Sequence, residues 1–353
     1  MIDRIAGVVL ILTMLLVTYV EWLGARMVSH AAAICVLFFL ILATPRVDWS
    51  RRVFVLVGLG LLGIAVATRA DWPEITEAGL RSAAFIAAFF VALTCLRSAS
   101  ATSPAVETTG RFLAEQPPGR RYLALTIGGH LFALMLNYGA ISLLGTLAVA
   151  SARREPNIEI RNHRIRRMLL AIQRGSVSTL SWSPLTFSIA VTTSIIPDSS
   201  WADAVAPCLV SSLILAGLGW TLDTIFKPRL STPSPPRPKP TGSWTSLLPM
   251  LWLLIILGAT VGGLHLVTGV RAIGTVMLVV PAMALAWIAM QYRGSGRLKH
   301  LQSRVSAYAA ELFAYRSELV LLLMAGVIGT LGSRLISPLI ASSGLDLAVL
   351  PAP

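Results

Sequence analysis

The stretch GGHLFALMLNYGAISLLGTLAVA, residues 128–150, raises the question that determines the fold of this chain. It is apolar and long enough to cross a bilayer as a helix, which takes about 20 residues for a ~30 Å hydrocarbon core. The tripeptide Asn137-Tyr138-Gly139 interrupts it near the middle. The chain therefore either crosses a membrane here or enters it, turns at the tripeptide and returns to the same side.

The composition places the whole chain in a membrane. Of its 353 residues, 55% are hydrophobic and only 13% are charged, and the mean hydropathy is +0.75. A soluble domain cannot bury that much apolar surface, so we expect an all-α polytopic membrane protein. The formal net charge of +13 comes from Lys and Arg in short segments between apolar runs. That placement is typical of topology signals and not of a nucleic-acid partner.

Eight uninterrupted apolar runs are long enough for membrane-spanning helices. They cover residues 5–20, 28–44, 53–68, 80–96, 204–226, 246–268, 272–292 and 319–341. No small-residue cleavage site follows the first run, which predicts a retained helix and not a cleaved signal peptide. The three cysteines, Cys35, Cys95 and Cys208, all lie in apolar runs, so their spacing indicates neither a disulfide nor a metal site.

Basic residues on both sides of residues 122–151 favour a hairpin over a crossing. The predicted loop before this region carries arginines from Arg97 to Arg121, and the predicted loop after it carries arginines from Arg153 to Arg167. Positive residues collect on the cytoplasmic side, so both flanks belong there. With a cytoplasmic N-terminus in a cell inner membrane, this topology puts most of the 29 Lys and Arg residues inside. Each arm of the hairpin has about 14 residues and is ~21 Å long, which is also too short to span the ~30 Å hydrocarbon core.

A second interrupted region, residues 168–196, is expected to cross the membrane as a broken helix. Its centre reads RGSVSTLSWSPLTFS, residues 174–188, and Pro184 there lacks a backbone donor and disfavours helix at Ser183. Hydroxyl side chains can satisfy the freed backbone groups or face a ligand. The alternative is a helix that is only kinked, with its hydroxyls bonded to the preceding turn.

A hairpin tip and a broken helix would bring helix ends to the middle of the membrane, together with backbone carbonyls that have no hydrogen-bond partner within a helix. Helix N-termini there bind anions, and carbonyls bind cations. The candidate substrate and ion ligands are Asn137, Tyr138 and Gly139 at the tip and Gly175, Ser176, Ser178, Thr179, Ser181, Ser183 and Pro184 at the break.

Two further side chains have alternative roles. Arg174 is a candidate anion contact, or it extends to the cytoplasmic interface. His130 could relay protons, although a buried structural histidine is the more common case. Because the spans contain few carboxylates, sodium is the favoured coupling ion, and we expect no other cofactor and no bound metal.

A weak internal similarity suggests an inverted duplication. Residues 80–100 and 315–337 share an Arg-Ser start, an apolar run and a later Arg followed by Ser, although apolar helices also resemble each other by chance. The predicted organisation is N-terminal scaffold helices (1–79), a first repeat (80–226), a Pro-rich cytoplasmic linker (227–243), and scaffold helices with the start of an incomplete second repeat (244–353). Residues 104–118 and 298–317 are either arms lying along the membrane surface or loops.

The segments GHLFALMLNYGAISLLGTL and MLLAIQRGSVSTLSWSPLTFS, together with the order of elements over residues 80–226, resemble the ion transporter superfamily. That group includes divalent-anion/sodium symporters, arsenite permeases, citrate transporters and tripartite large permeases. The resemblance implies a transporter and not an enzyme, with an elevator movement against a homodimeric scaffold and a small anionic substrate such as a carboxylate. The superfamily's Ser-Asn-Thr signatures are replaced by Leu136-Asn137-Tyr138 at the tip and Ser178-Thr179-Leu180-Ser181 at the break.

Two other functional classes stay open at this point. One is a non-transporting membrane assembly subunit. The other is a membrane-embedded enzyme for lipid-linked or acyl substrates, which would need clustered acids, histidines or metal ligands. The five histidines are scattered along the chain and have no paired carboxylates nearby, which disfavours the enzyme.

Overall fold

A computed structural model describes residues 2–101, 103–137, 139–196, 199–226, 242–291 and 297–342. All regular structure in these residues is helical, with short 3₁₀ turns at Thr44–Arg46 and Trp244–Leu247. The α-helices are α1 Ile2–Leu23, α2 Arg26–Ala43, α3 Trp49–Thr68, α4 Trp72–Ala101, α5 Pro104–Ala114, α6 Pro118–Leu136, α7 Gly139–Arg153, α8 Ile158–Val177, α9 Phe187–Ile195, α10 Trp201–Ile225, α11 Leu248–Thr268, α12 Ala272–Gln291, α13 Arg297–Ala314 and α14 Arg316–Ser342.

Eight of the described helices are long and apolar enough to cross a membrane, and they coincide with the eight predicted apolar runs. They are α1, α2, α3, α4, α10, α11, α12 and α14. Many of their large apolar side chains face outward, as in Leu213 of α10 and Ile255 of α11. Such surfaces suit lipid and not water. The chain is therefore an all-α multi-pass membrane protein, as its composition predicted.

The basic segments differ from the prediction because they are helical. α8 begins at Ile158, where the Asn157 side chain accepts hydrogen bonds from the Glu159 and Ile160 amides at 2.9 and 3.2 Å. The arginines between 161 and 167 thus lie on a helix and not in a loop. An asparagine at this position satisfies otherwise unpaired N–H groups, which explains the early start.

The first arm of the interrupted region is also longer than expected. α6 has 19 residues and starts at Pro118, a residue suited to the first helical position because its missing N–H is not needed there. Its apolar part begins only at Tyr122, and α6 is not one of the eight apolar spans. Residues 104–114 and 297–314 form α5 and α13, so these two segments are helices and not loops.

The described chain divides into two compact units. The first comprises residues 1–91, 194–197 and 302–353. In it, Gly7 of α1 lies against the backbone of α13, since a Cβ at Gly7 would come 1.7 Å from the Ala309 carbonyl oxygen. Between α3 and α4, the Arg69 guanidinium donates two hydrogen bonds of 2.9 Å to Asp71 and lowers the pKa of that carboxyl.

The second unit comprises residues 92–193 and 198–301, and it holds the region 122–151 and residues 168–193 of the second interrupted region, together with α10, α11 and α12. Most of the linker, residues 227–241, lies outside the described residues. α4 continues through the predicted boundary at residue 79, and the division into repeats stays a prediction.

Candidate functional site

α6 and α7 fold back on each other as a helical hairpin. Gly129 and Gly145 lie equally far from Asn137 on either side, and both contact one turn of α8. A Cβ at Gly129 would be 2.6 Å from the Ile172 oxygen, and a Cβ at Gly145 would be 3.3 Å from Leu169 Cδ2. In a continuous helix the two glycines would be about 24 Å apart. The chain therefore reverses at the predicted tripeptide, while the return to the cytoplasmic side stays a prediction.

The hairpin tip has an unusual backbone conformation at Asn137. Its φ of 50° is the only positive φ of a non-glycine residue in the described part of the chain. With ψ at −130°, it lies outside the left-handed helical region that Asn tolerates and in a part of backbone space that favours glycine. The Asn137 Nδ2 atom donates a long hydrogen bond of 3.4 Å to the Leu185 carbonyl oxygen, and α7 begins at Gly139. Tyr138, which lies between Asn137 and Gly139 and was also predicted at the tip, is outside the described residues.

The second interrupted region is a broken helix and not a kinked one. α8 ends at Val177, α9 begins at Phe187, and the residues between them form turns around Pro184. Just before the break, Gly175 lies against the backbone of α6, where a Cβ would be 2.0 Å from the Thr126 oxygen. The tip and the break therefore belong to one closely packed group of helices, joined by the bond from Asn137 to Leu185.

Side chains of α10 satisfy the carbonyls that the break releases. Ser212 Oγ donates to the Ser178 oxygen at 2.6 Å, and Trp201 Nε1 donates to the Trp182 oxygen at 2.7 Å. In a bilayer an unpaired carbonyl costs several kcal/mol, so an exposed break would not persist. These bonds hold the unwound segment in one conformation.

The hydroxyl groups predicted as ligands form hydrogen bonds within the protein. Four of them are buried, and Ser181 is half-buried. The bonds run from Ser176 Oγ to Gly129 O (3.3 Å), Ser178 Oγ to Gly175 O (2.7 Å), Thr179 Oγ1 to Ser176 O (2.7 Å), Ser181 Oγ to Cys208 O (3.3 Å) and Leu185 N to Ser183 Oγ (3.2 Å). A hydroxyl that donates its proton still has lone pairs free to accept, so these oxygens could also coordinate a cation.

His130 is held beside the break. Its Nδ1 atom lies 2.7 Å from Ser178 Oγ, and its ring stacks on the Trp182 ring with centroids 5.6 Å apart. Because the Ser178 hydroxyl gives its proton to the Gly175 carbonyl, Nδ1–H of His130 is the donor in their bond. This geometry supports the structural role of His130 over a proton relay.

Two arginines border the site in different ways. Arg174 Nη1 donates to the Tyr122 hydroxyl at 2.7 Å and to the Gly219 oxygen at 2.9 Å, so this group braces α6 against α10. Arg97 lies at the tip, where a Cβ at Gly139 would be 2.8 Å from Arg97 Nε. The sequence analysis predicted a loop at Arg97. The small residues after it, Ser-Ala-Ser-Ala, are compatible with the helix that continues to Ala101.

A cavity of about 240 Å³ adjoins the break. Its walls are almost entirely apolar and come from the first hairpin arm, the break, α10, α11 and α12. The main lining residues are Leu134, Trp182, Trp201, Leu257, Val261 and Val276. His265 is among the few polar groups, and its Nδ1–H donates to the Val270 oxygen at 2.7 Å. The sequence did not reveal the cavity because its walls come from five separate elements.

No group of three His, Cys, Asp or Glu side chains that could hold a metal ion occurs among the described residues. Comparison with known proteins adds no relationship, since no family model, no curated protein and no solved structure matches this chain.

Proposed function

We propose that this protein is a secondary active transporter of the inner membrane for a small anion such as a carboxylate. The observation that carries the proposal is the meeting of the hairpin tip with the broken helix, where Asn137 bonds to Leu185. Transporters bind their substrates where interrupted helices expose their ends inside the membrane. The proposed orientation has a cytoplasmic N-terminus and a hairpin that enters and leaves on the cytoplasmic side.

The charge distribution at the tip favours an anion. Helix α7 begins at Gly139, and its N-terminus carries the positive end of the helix dipole. The Arg97 guanidinium packs against the same residue. An anion at the tip would therefore meet both an arginine and a helix N-terminus, the combination that commonly binds carboxylates and phosphates.

A sodium ion is the proposed coupling ion. The C-terminus of α8, at Val177, points carbonyl oxygens toward the break, and the hydroxyls of Ser178, Thr179 and Ser183 are close by. The Ser178 and Trp182 carbonyls within the break already accept hydrogen bonds from α10, but each retains a second lone pair. A cation can thus be added without breaking the bonds that hold the unwound segment.

The apolar cavity suggests where the rest of the substrate would lie. It is bounded by Leu134 on the hairpin and by Leu185 at the break, close to the positively charged tip. A carboxylate with a short apolar portion would place its charge at Arg97 and its carbon chain in the cavity. The cavity volume of about 240 Å³ is small for a ligand pocket, which is consistent with a small substrate.

The elevator movement and the homodimeric scaffold are proposed from the resemblance. The packing supports one part of this proposal, because Gly129 and Gly175 bring the backbones of α6 and α8 into direct contact. Helices in backbone contact cannot slide past each other easily. The hairpin and α8 would therefore move together as one body.

A non-transporting assembly subunit is the second candidate. It is favoured by the observation that the described hydroxyls and several carbonyls of the break are already engaged within the protein. In that case the hydrogen bonds serve stability alone, and removing side chains at the tip and the break would leave function intact.

Transport currents in proteoliposomes on a solid-supported membrane test the proposal. With an imposed sodium gradient, we expect acetate, pyruvate, succinate or citrate to produce a current in the wild type. The double variant Asn137→Ala/Ser181→Ala should abolish it. Ser211→Ala is the matched control, because this exposed hydroxyl donates only within α10, to the Pro207 oxygen. No current with any of the four anions would overturn the transporter, and a current that survives in the double variant would overturn the assigned site.

Cysteine labelling from each side of the membrane tests the topology separately. On a background without Cys35, Cys95 and Cys208, single cysteines replace the exposed residues Thr108 and Asn162, which flank the hairpin. We expect both to react only from the cytoplasm. Labelling from opposite sides would show that residues 122–151 cross the membrane.

A further inference from the structure

Several arginines lie at the base of the hairpin, the end opposite the tip. Two of them are paired with carboxylates. Arg167 of α8 donates to Asp223 at 2.9 and 2.5 Å, and Arg154, just after α7, lies 3.3 Å from Glu115. These pairs join the hairpin base to the surrounding helices.

Two other arginines, Arg121 and Arg164, form no salt bridge with any described residue, and we call them the unpaired arginines. Both are half-buried. Arg121 Nε donates to the Gln116 carbonyl oxygen at 2.6 Å, and Arg164 Nη2 donates to Ser151 Oγ at 3.2 Å. Arg164 Nε is buried and has no hydrogen-bond partner within the described part of the chain. Each guanidinium thus keeps donors that no described residue uses.

The positive charge at this position is unfavourable in the absence of an anion. Burial lowers the pKa of Arg121 to about 10, with further contributions from Arg164 and Arg167. Burial also lowers the pKa of Arg164, although Glu155 and Glu115 act in the opposite direction. Both arginines lie outside the eight apolar spans. No carboxylate among the described residues contributes to the pKa of Arg121, and a buried charge without a counter-ion costs free energy that a bound anion would offset.

We propose that a phosphate group binds between Arg121 and Arg164 at the base of the hairpin. Guanidinium groups recognise tetrahedral oxyanions through paired N–H donors, and both arginines are only half-buried, with one nitrogen each bonded to a described residue. The phosphate is either that of an anionic lipid headgroup or free inorganic phosphate. This site is separate from the tip and does not depend on transport.

A phosphate at this position would connect three helices. Arg121 lies in the first turns of α6, and Arg164 lies on α8, where its side chain reaches Ser151 at the end of α7. With the hairpin tip inside the membrane, the base lies at the cytoplasmic surface, where anionic headgroups are concentrated. A bound headgroup would then anchor both ends of the hairpin to α8.

Thermal unfolding of the purified full-length protein in a neutral detergent tests the proposal. The samples contain phosphatidylglycerol, phosphatidylcholine or inorganic phosphate at constant ionic strength. We expect phosphatidylglycerol or inorganic phosphate to raise the Tm of the wild type by about 3–5 °C, with phosphatidylcholine giving no change. Arg121→Gln and Arg164→Gln should lose this shift. Arg166→Gln, an exposed position on the same helix, is the matched control and should keep it.

The two phosphate sources are distinguished by which sample produces the shift. A shift with phosphatidylglycerol alone assigns the site to a lipid headgroup, and a shift with inorganic phosphate assigns it to the free ion. No shift in either sample, or equal shifts in Arg121→Gln, Arg164→Gln and the wild type, would overturn the proposal.

A second measurement covers the case in which a variant folds poorly. Native mass spectrometry should show phosphatidylglycerol retained on the wild type and on Arg166→Gln, and at least tenfold less on Arg164→Gln and Arg164→Lys. The lysine keeps the charge but loses the fork of donors. Equal retention on all four proteins would contradict a guanidinium site.

Discussion

The contact between α6 and α8 predicts a large effect of one methyl group. A Cβ at Gly175 would lie 2.0 Å from the oxygen, 2.9 Å from the carbonyl carbon and 3.0 Å from the Cα of Thr126. All three are backbone atoms, which cannot rotate away. Ordinary contact begins near 3.4 Å, so Gly175→Ala requires the two helices to separate locally by about 1.4 Å.

The cost of this separation follows from the neighbouring contacts. Overpacking of this kind costs about 1–3 kcal/mol. The Ser176 Oγ to Gly129 O bond, already 3.3 Å long, would exceed hydrogen-bonding distance and add about 1 kcal/mol. The total of roughly 2–4 kcal/mol corresponds to a decrease in Tm of about 5–10 °C.

Differential scanning fluorimetry of the detergent-purified protein measures this change. Gly217→Ala in α10 is the matched control, because no atom lies within 4 Å of its added Cβ. Alanine favours the helix over glycine by up to about 1 kcal/mol, so the control should be unchanged or more stable. A Tm of Gly175→Ala within about 1 °C of the wild type would refute the close packing of α6 on α8, as would an equal loss in Gly217→Ala.

Two further pairs of variants separate backbone from side-chain effects by the same measurement. At the tip, Asn137→Gly should keep the Tm, because relief of the strained backbone offsets the loss of the long 3.4 Å bond to Leu185. Asn137→Ala loses the same bond without relieving the strain and should cost about 1–2 kcal/mol. Equal Tm values for the two variants would show that the tip is not strained. At the break, Trp201→Phe should cost about 1–2 kcal/mol because it removes the donor to the Trp182 carbonyl. Trp182→Phe should leave stability unchanged or increase it, because the Trp182 Nε1 atom is buried without a partner among the described residues. The opposite order of the two tryptophan variants would contradict these assignments.

The membrane-spanning part of the fold could be predicted from the sequence because the bilayer sets the length and polarity of each span. The runs that became α1 and α11, for example, need no tertiary information. The two interruptions were also predictable, since Pro184 and the Asn137-Tyr138-Gly139 tripeptide act locally on the backbone.

The basic segments could not be predicted in the same way. The arginines around Arg164 suggested a loop because their charge hides the helical pattern. A helix forms there because Asn157 caps it and because one face, with Met168 and Ile172, packs on the hairpin. That packing partner is distant in sequence, so the helix and the unpaired arginines became visible only in three dimensions.

The two arginines that border the site have different expected roles, and this difference can be measured. Arg174 was one candidate for the anion contact, but one of its nitrogens donates to Tyr122 and Gly219. Arg174→Gln should therefore lower the free energy of unfolding by about 1–3 kcal/mol, which is measured as a decrease in Tm. The reason is that the Gly219 carbonyl and the Tyr122 hydroxyl, both buried, lose their donor. Arg97 packs against the tip glycine and lies nearer to the proposed anion position.

Arg97→Gln should raise the KM for the carboxylate that gives the largest current by about tenfold or more. Arg97→Lys should recover part of the affinity, because it restores the charge without the paired donors. If Arg174→Gln raised the KM at unchanged stability while Arg97→Gln did not, the anion would bind at the α6–α10 junction, and the tip would serve only to close the hairpin.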